Sequence, residues 1–140
     1  MGSTKELNRA KKEYLNQYRH LQREQEEVES LLKDLLEDYA SPKSPQFDAM
    51  PRSGKPHDLS DYVAKHDDLL RQLRRIKSDK WFLQTEILDK IGEMTDARER
   101  RLMVLRYLRG MTFRQIARSL CCSEDHVRHI HGSALQHFTL

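Results

Sequence analysis

A chain of 140 residues has room for one domain, or one small domain with an extension, and few two-domain enzymes fit that length. Its 34% charged and 37% hydrophobic residues give a mean hydropathy of -0.85, but the remaining Leu, Ile, Val and Tyr suffice for a core, which excludes wholesale disorder. The net charge of +3 hides an asymmetry: residues 1–40 hold 7 Lys/Arg against 9 Asp/Glu, whereas residues 94–140 hold 8 against 4, all eight of them Arg.

With 5 Gly and 4 Pro against abundant Leu, Glu, Lys, Arg and Gln, helix formers dominate and the expected class is all-α. The opening residues, MGSTKELNRAKKEY, carry no apolar signal core, and no apolar run approaches the ~18 residues that span a bilayer. The expectation is a cytoplasmic protein with no membrane partner. From Thr4 to Tyr39 the residues Leu7, Tyr14, Leu21, Val28 and Leu35 recur every seventh position, and Tyr18, Leu32 and Tyr39 complete a heptad-like seam interrupted by Lys11 and Gln25. This predicts one helix of roughly 50 Å. All four prolines follow within 41–57, a loop that no helix can cross. Helical spacing resumes near Ser60 with Tyr62, Leu69, Leu73, Ile76, Leu83 and Ile87, with His66 and Lys80 at polar seam positions, and ends at Gly92. Two long striped helices joined by a short connection predict a coiled-coil-like antiparallel hairpin over 1–92, with a role in oligomerisation, most simply as a dimer. Trp81 and Phe82 are adjacent and point to different faces, so both are assigned to packing.

A new pattern begins after Gly92. Thr95 or Asp96 can cap a helix that keeps Leu102, Leu105 and Leu108 inside and ends at Gly110; Thr112 with Gln115 forms a capping box for the next; Ser123 caps the last through the N–H near His126. Three short helices over 94–140 are the scale of a DNA-binding module. Counting from Ala117 as the small residue of a helix-turn-helix, Ile116, Leu120, Cys122, Val127 and Ile130 occupy the apolar positions that hold such a pair together. Glu124, Asp125, Arg128, His129 and Gly132 are left on the outer face of the last helix, where a recognition helix meets the major groove. Arg presents a rigid donor fork suited to phosphate and guanine edges. About half of Arg98, Arg100, Arg101, Arg114 and Arg118 are expected to meet phosphates.

The residues RERRLMVLRYLRGMTFRQIARSLCCSEDHVRHIHGSALQHF resemble the region 4 DNA-binding module of bacterial sigma factors, and more narrowly a phage and prophage family of small sigma-like late transcriptional regulators. The segments from Arg98 to Thr112, Phe113 to Ala117 and Ile130 to Leu135 carry the resemblance; the N-terminal hairpin and HDLSDYV at His57 to Val63 also fit. The resemblance implies a last helix that reads a promoter-type element, with Arg128 and His129 at base-contact positions, Glu124 and Asp125 near its start, and recruitment of RNA polymerase. Two features depart from the pattern. Cys121 stands where the tight turn often has Gly, and the recognition helix has one Arg with His126, His129, His131 and His137, so affinity is expected to be modest and to rise as these histidines protonate.

Cys121 and Cys122 lie near His126 and His129 without zinc-ligand spacing or a second ligand pair, so no metal or other cofactor is expected; Cys122 belongs to the core and Cys121 to the turn. Gly132 either permits phosphate approach or contacts a neighbouring helix. There is no phosphate-cradling Gly loop, no H-E-x-x-H and no nucleophile with a signalled base, so no catalytic site is assigned. The expected function is sequence-specific binding of double-stranded DNA with Ser123, Glu124, Asp125, Arg128, His129, Gly132, Thr112, Arg114 and Arg118 at the interface. The rivals are a DNA-packaging recognition subunit, which also joins helix-turn-helix modules to oligomerising helices, and a module that binds polymerase or a regulator with little DNA contact.

Overall fold

A computed structural model of the chain describes residues 3–40 and 59–140; the proline-containing segment 41–57 predicted as a loop lies outside the described residues. Five α-helices and one π-helical turn account for nearly all of the described residues, and none of these is in a strand. The helices are α1 (Thr4–Ala40), α2 (Leu59–Gly92), α3 (Ala97–Met103), α4 (Phe113–Leu120) and α5 (Glu124–His137), with the π-helical turn Val104–Leu108 continuing α3. Among the described residues no helix is long and apolar enough to cross a membrane.

The chain forms two compact units, Met1–Gln22 with Asp79–Leu140, and Arg23–Ser78. In the second unit the seam read from the sequence is present: Val28 is buried, Leu32, Leu35, Tyr62, Leu69, Leu73 and Ile76 are half-buried, and the Tyr39 ring stacks on Tyr62 at 4.2 Å. Leu31 and Leu35 line a groove with Leu69, so residue numbers rise along α1 as they fall along α2, the antiparallel arrangement. Within the first unit α1 and α2 are also antiparallel, since Lys90 lies 5.7 Å from the Tyr14 ring centroid while Lys80 lies 5.3 Å from Tyr18 and donates to Gln22. A helix of 37 residues with a charged outer face owes its persistence to this packing more than to propensity.

The principal core belongs to the first unit. Leu15 of α1 and Leu83, Ile87 and Ile91 of α2 join Met94, Leu102, Met103, Tyr107, Ile116, Ala117, Val127, Ala134, Leu135 and Phe138 in one buried cluster. The C-terminal helices thus share their interior with the near ends of the long helices, and the core does not stop at residue 94. Lys11, an apparent break in the heptad seam, is only 5% exposed because its ammonium donates to the Leu135 carbonyl at 2.7 Å, near the end of α5. Leu7, one heptad position earlier, is 52% exposed.

Trp81 and Phe82 depart from the packing role predicted for them. They are 61% and 65% exposed and meet each other edge to face at 5.1 Å, because α2 turns Leu83 and Ile87 inward and, at about 3.6 residues per turn, Phe82 lies about 100° and Trp81 about 200° around the helix from Leu83. The inner stripe of α3 also differs from expectation: Leu102, Met103 and Tyr107 are buried, while Leu105 and Leu108 are half-buried. The π-helical turn, closed by Arg109 N–H to the Val104 carbonyl at 3.0 Å, rotates the side chains that follow.

Candidate nucleic-acid interface

The helix-turn-helix is built from caps that the sequence already signals. Asp96 Oδ1 accepts from the N–H of Arg98 at 2.8 Å and of Glu99 at 3.4 Å, starting α3. Gly110, at φ +69°, ends the π-helical turn in the left-handed region, with Met111 N–H donating to the Leu105 carbonyl at 3.0 Å. Thr112 Oγ1 accepts from Gln115 N–H at 3.2 Å while Gln115 Oε1 accepts from Thr112 N–H at 2.9 Å, a closed capping box for α4. Ser123 Oγ accepts from His126 N–H at 3.2 Å and starts α5.

Between α4 and α5 the backbone turns at Cys121, whose φ of 54° and ψ of 46° place a non-glycine residue in the left-handed conformation. Cys122 N–H donates back to the Ala117 carbonyl at 3.0 Å and closes the turn. Ile116, Ala117 and Val127 are buried; Leu120, Cys122 and Ile130 pack against the core half-buried. Cys122 is therefore less enclosed than expected, and Cys121 is exposed. Among the described residues no group of His, Cys, Asp or Glu is arranged to hold a metal ion.

The outer face of α5 brings three of the sequence-assigned residues together. Arg128 lies 3.5 Å from Glu124 and 3.6 Å from Asp125, and its guanidinium stands 5.8 Å from the Phe113 ring at the start of α4. These are exposed ion pairs, worth about 0–1 kcal/mol, which a nucleic-acid edge can replace at small cost. Beside Arg128, His129 is exposed. Gly132, one turn beyond Arg128, is half-buried, and a Cβ built on it would meet no atom within 4 Å, so no neighbouring helix requires its small size. Ser123, Thr112, Arg114 and Arg118 are exposed, the first two acting as caps. Arg100 turns away to donate to the Met94 carbonyl at 2.6 Å.

Two of the four histidines of α5 bond to buried groups, His131 from the interior and His137 from the surface. His131 is buried, hydrogen-bonded through Nε2 to the Tyr107 hydroxyl at 2.6 Å and edge-on to Phe113 at 5.1 Å. Burial first, then the charges of Lys12 and Arg106, push its pKa down to about 4, so it carries no charge near neutrality, contrary to the expected protonation of the whole set. Burial likewise raises the Tyr107 pKa to about 12, against the smaller opposing charges of Arg106 and Arg19. His137 Nδ1 lies 2.8 Å from the buried Glu99 carboxylate, which also accepts from Ser133 Oγ at 2.6 Å. His126 and His129 remain on the surface.

Sequence reasoning passed over the cations around Phe113. Arg106 stacks on that ring at 4.2 Å and donates through Nη1 to the Met111 carbonyl at 3.1 Å. Arg19 of α1 lies against Gly110, its Nε 3.7 Å from where a Cβ would sit. The available signal was the seven-residue spacing of Lys12 and Arg19, which puts both on one flank of the stripe that contains Leu15.

Residues 96–138 match the family described as sigma-70, region 4. No curated protein and no solved structure matches the chain. The match and the capped α3–α4–α5 geometry identify the C-terminal module as a sigma region 4-like helix-turn-helix.

Proposed function

We propose that this chain is a sequence-specific DNA-binding transcriptional regulator of phage or prophage type, active in the cytoplasm, which recruits RNA polymerase to the promoter that α5 reads. The observation that carries the reading is the capped α4–turn–α5 unit within the region 4-like match, which leaves Glu124, Asp125, Arg128 and His129 on its outer face. In this reading α5 enters the major groove, Arg128 exchanges its two carboxylate partners for a base edge, and the Thr112 end of α4 approaches a phosphate. Arg114 and Arg118 supply backbone contacts, and the open surface at Gly132 lets the sugar-phosphate chain lie close.

Selection of bound duplexes from a random pool, followed by titration of the chain against the selected site, tests the reading. Arg128→Ala is expected to cost about 1–3 kcal/mol on that site and less on random DNA. Equal losses on both would assign Arg128 to phosphate, and failure of the chain to select or bind any duplex would defeat the reading. One observation favours the second reading, a polymerase-binding module with little DNA contact: α5 carries two carboxylates and one Arg. Retention on polymerase without salt-sensitive DNA binding would establish it. The N-terminal hairpin pairs two modules in a homodimer on adjacent half-sites, which sedimentation of the full chain measures.

A further inference from the structure

The recognition helix is poorly equipped to attract DNA by charge, since Glu124 and Asp125 outnumber Arg128 at its exposed start. The missing positive field lies next to it. Arg106 and Arg128 share the Phe113 ring at 4.2 and 5.8 Å, so their guanidinium carbons are within about a Debye length of each other. Arg19 reaches across from α1 to lie on Gly110, beside exposed Arg109, and Lys12, two turns earlier on the same flank of α1, acts with Arg106 on buried His131. Among the described residues no carboxylate pairs with Lys12, Arg19, Arg106 or Arg109, whereas Arg9 and Lys33 of α1 both have i,i+4 glutamate partners.

We propose that Lys12 and Arg19 of the N-terminal helix belong to the DNA-binding surface, forming with Arg106 and Arg109 a phosphate-binding ridge that grips the duplex backbone beside the groove read by α5. The proposal rests on the reading of the C-terminal module as a DNA binder and extends its interface onto a helix outside the region 4-like match.

The physical logic is that of a site assembled against its own repulsion. Burial lowers the Arg106 pKa and the nearby charge of Arg19 lowers it further, against an opposing effect of Tyr107. Bringing like charges together, partly out of water, is unfavourable in the free protein and is relieved when phosphate oxygens arrive. Gly110 serves the ridge by adopting φ +69°, which turns the chain beside the Arg19 guanidinium. The ridge contributes affinity without reading sequence, and α5 contributes discrimination.

The test uses the full chain with Lys12→Gln, Arg19→Gln, the double variant and Arg19→Lys, each checked for unchanged helicity and melting. Binding to a selected duplex and to a random duplex is measured by fluorescence anisotropy across a potassium chloride series. Each single charge removal is expected to weaken both duplexes alike, by roughly three- to tenfold, and the double variant to lower the slope of log K against log salt by about 2. Arg19→Lys should keep the slope, and Arg9→Gln, which removes a cation already paired with Glu13, should change neither quantity. Unchanged slopes in variants of a chain that binds DNA overturn the ridge and leave the module's reading intact. Loss confined to the selected duplex also overturns it, because backbone contacts cannot discriminate. A wild-type chain that binds no duplex defeats the module's reading itself.

Discussion

Replacing Lys11 by methionine isolates a bond that ties the first helix to the last. The Lys11 ammonium donates to the Leu135 carbonyl at 2.7 Å in a place where Lys11 is 5% and Leu135 2% exposed. Leu135 lies in the last turn of α5, whose carbonyls lack helical partners and carry the negative end of the helix dipole. Methionine keeps the apolar stem and removes the charge. Losing the ammonium recovers its desolvation cost but forfeits a charge-assisted hydrogen bond and leaves a buried carbonyl unpaired, a penalty of about 1–3 kcal/mol. The unpaired carbonyl decides the sign, and a net loss of about 2 kcal/mol corresponds to a fall of roughly 4–8 °C in melting temperature for a chain of this size. Thermal melts by circular dichroism, with Lys5→Met as the exposed control, measure it, and hydrogen exchange should show the last turn of α5 losing protection. A Lys11→Met chain as stable as the parent would refute the reasoning and reduce Lys11 to a seam defect.

Cys121→Gly is expected to stabilise the protein by a few tenths to about 1 kcal/mol in denaturant titrations, since glycine adopts φ 54° without the penalty of a Cβ; destabilisation would mean that the thiol contributes contacts beyond the turn. Gly132→Ala should also stabilise, by about 0.5–1 kcal/mol, because the added methyl meets nothing within 4 Å. If the variant binds its selected duplex as tightly as the parent, Gly132 is outside the interface. His131 gives the stability a pH dependence: the unfolded chain takes up a proton near 6.5 while the folded site refuses it until about 4, so stability is complete above 6.5 and falls as pH drops through that window. The loss approaches about 3 kcal/mol at the acid end. His131→Gln, which keeps a hydrogen-bonding partner for Tyr107 without titrating, should flatten that part of the profile, and an unchanged slope would assign it to other groups.

The local features were legible because they depend on residues close in sequence. Thr112, Gln115, Ser123, Asp96 and Gly110 each act within one turn of the chain, so their roles as caps followed from spacing, and so did the buried Ile116, Ala117 and Val127. What escaped the sequence depends on distant partners. Lys11 looked like an interruption of a heptad because its partner is 124 residues away. His131 looked like a surface histidine because the Tyr107 hydroxyl that receives it belongs to a different helix, displaced by a π-helical turn that no periodicity announces. Phe113 gave no hint of the two guanidiniums on its ring for the same reason.

The position of the core follows from this long-range economy of partners. A segment of 47 residues, 94–140, is near the size at which a single core is marginal. Its core is enlarged by Leu15 from α1 and by Leu83, Ile87 and Ile91 from α2, which are buried in the same cluster as Leu135 and Phe138 at the end of α5. Any cut at residue 92 therefore removes core side chains together with the Lys11 anchor. The long helices also fix where α1 runs, and that course sets Lys12 near His131 and lays Arg19 against Gly110. The same packing that completes the C-terminal interior thus determines which cations stand near His131 and Gly110, so the stability of the module and the charge around it are joined through one face of α1.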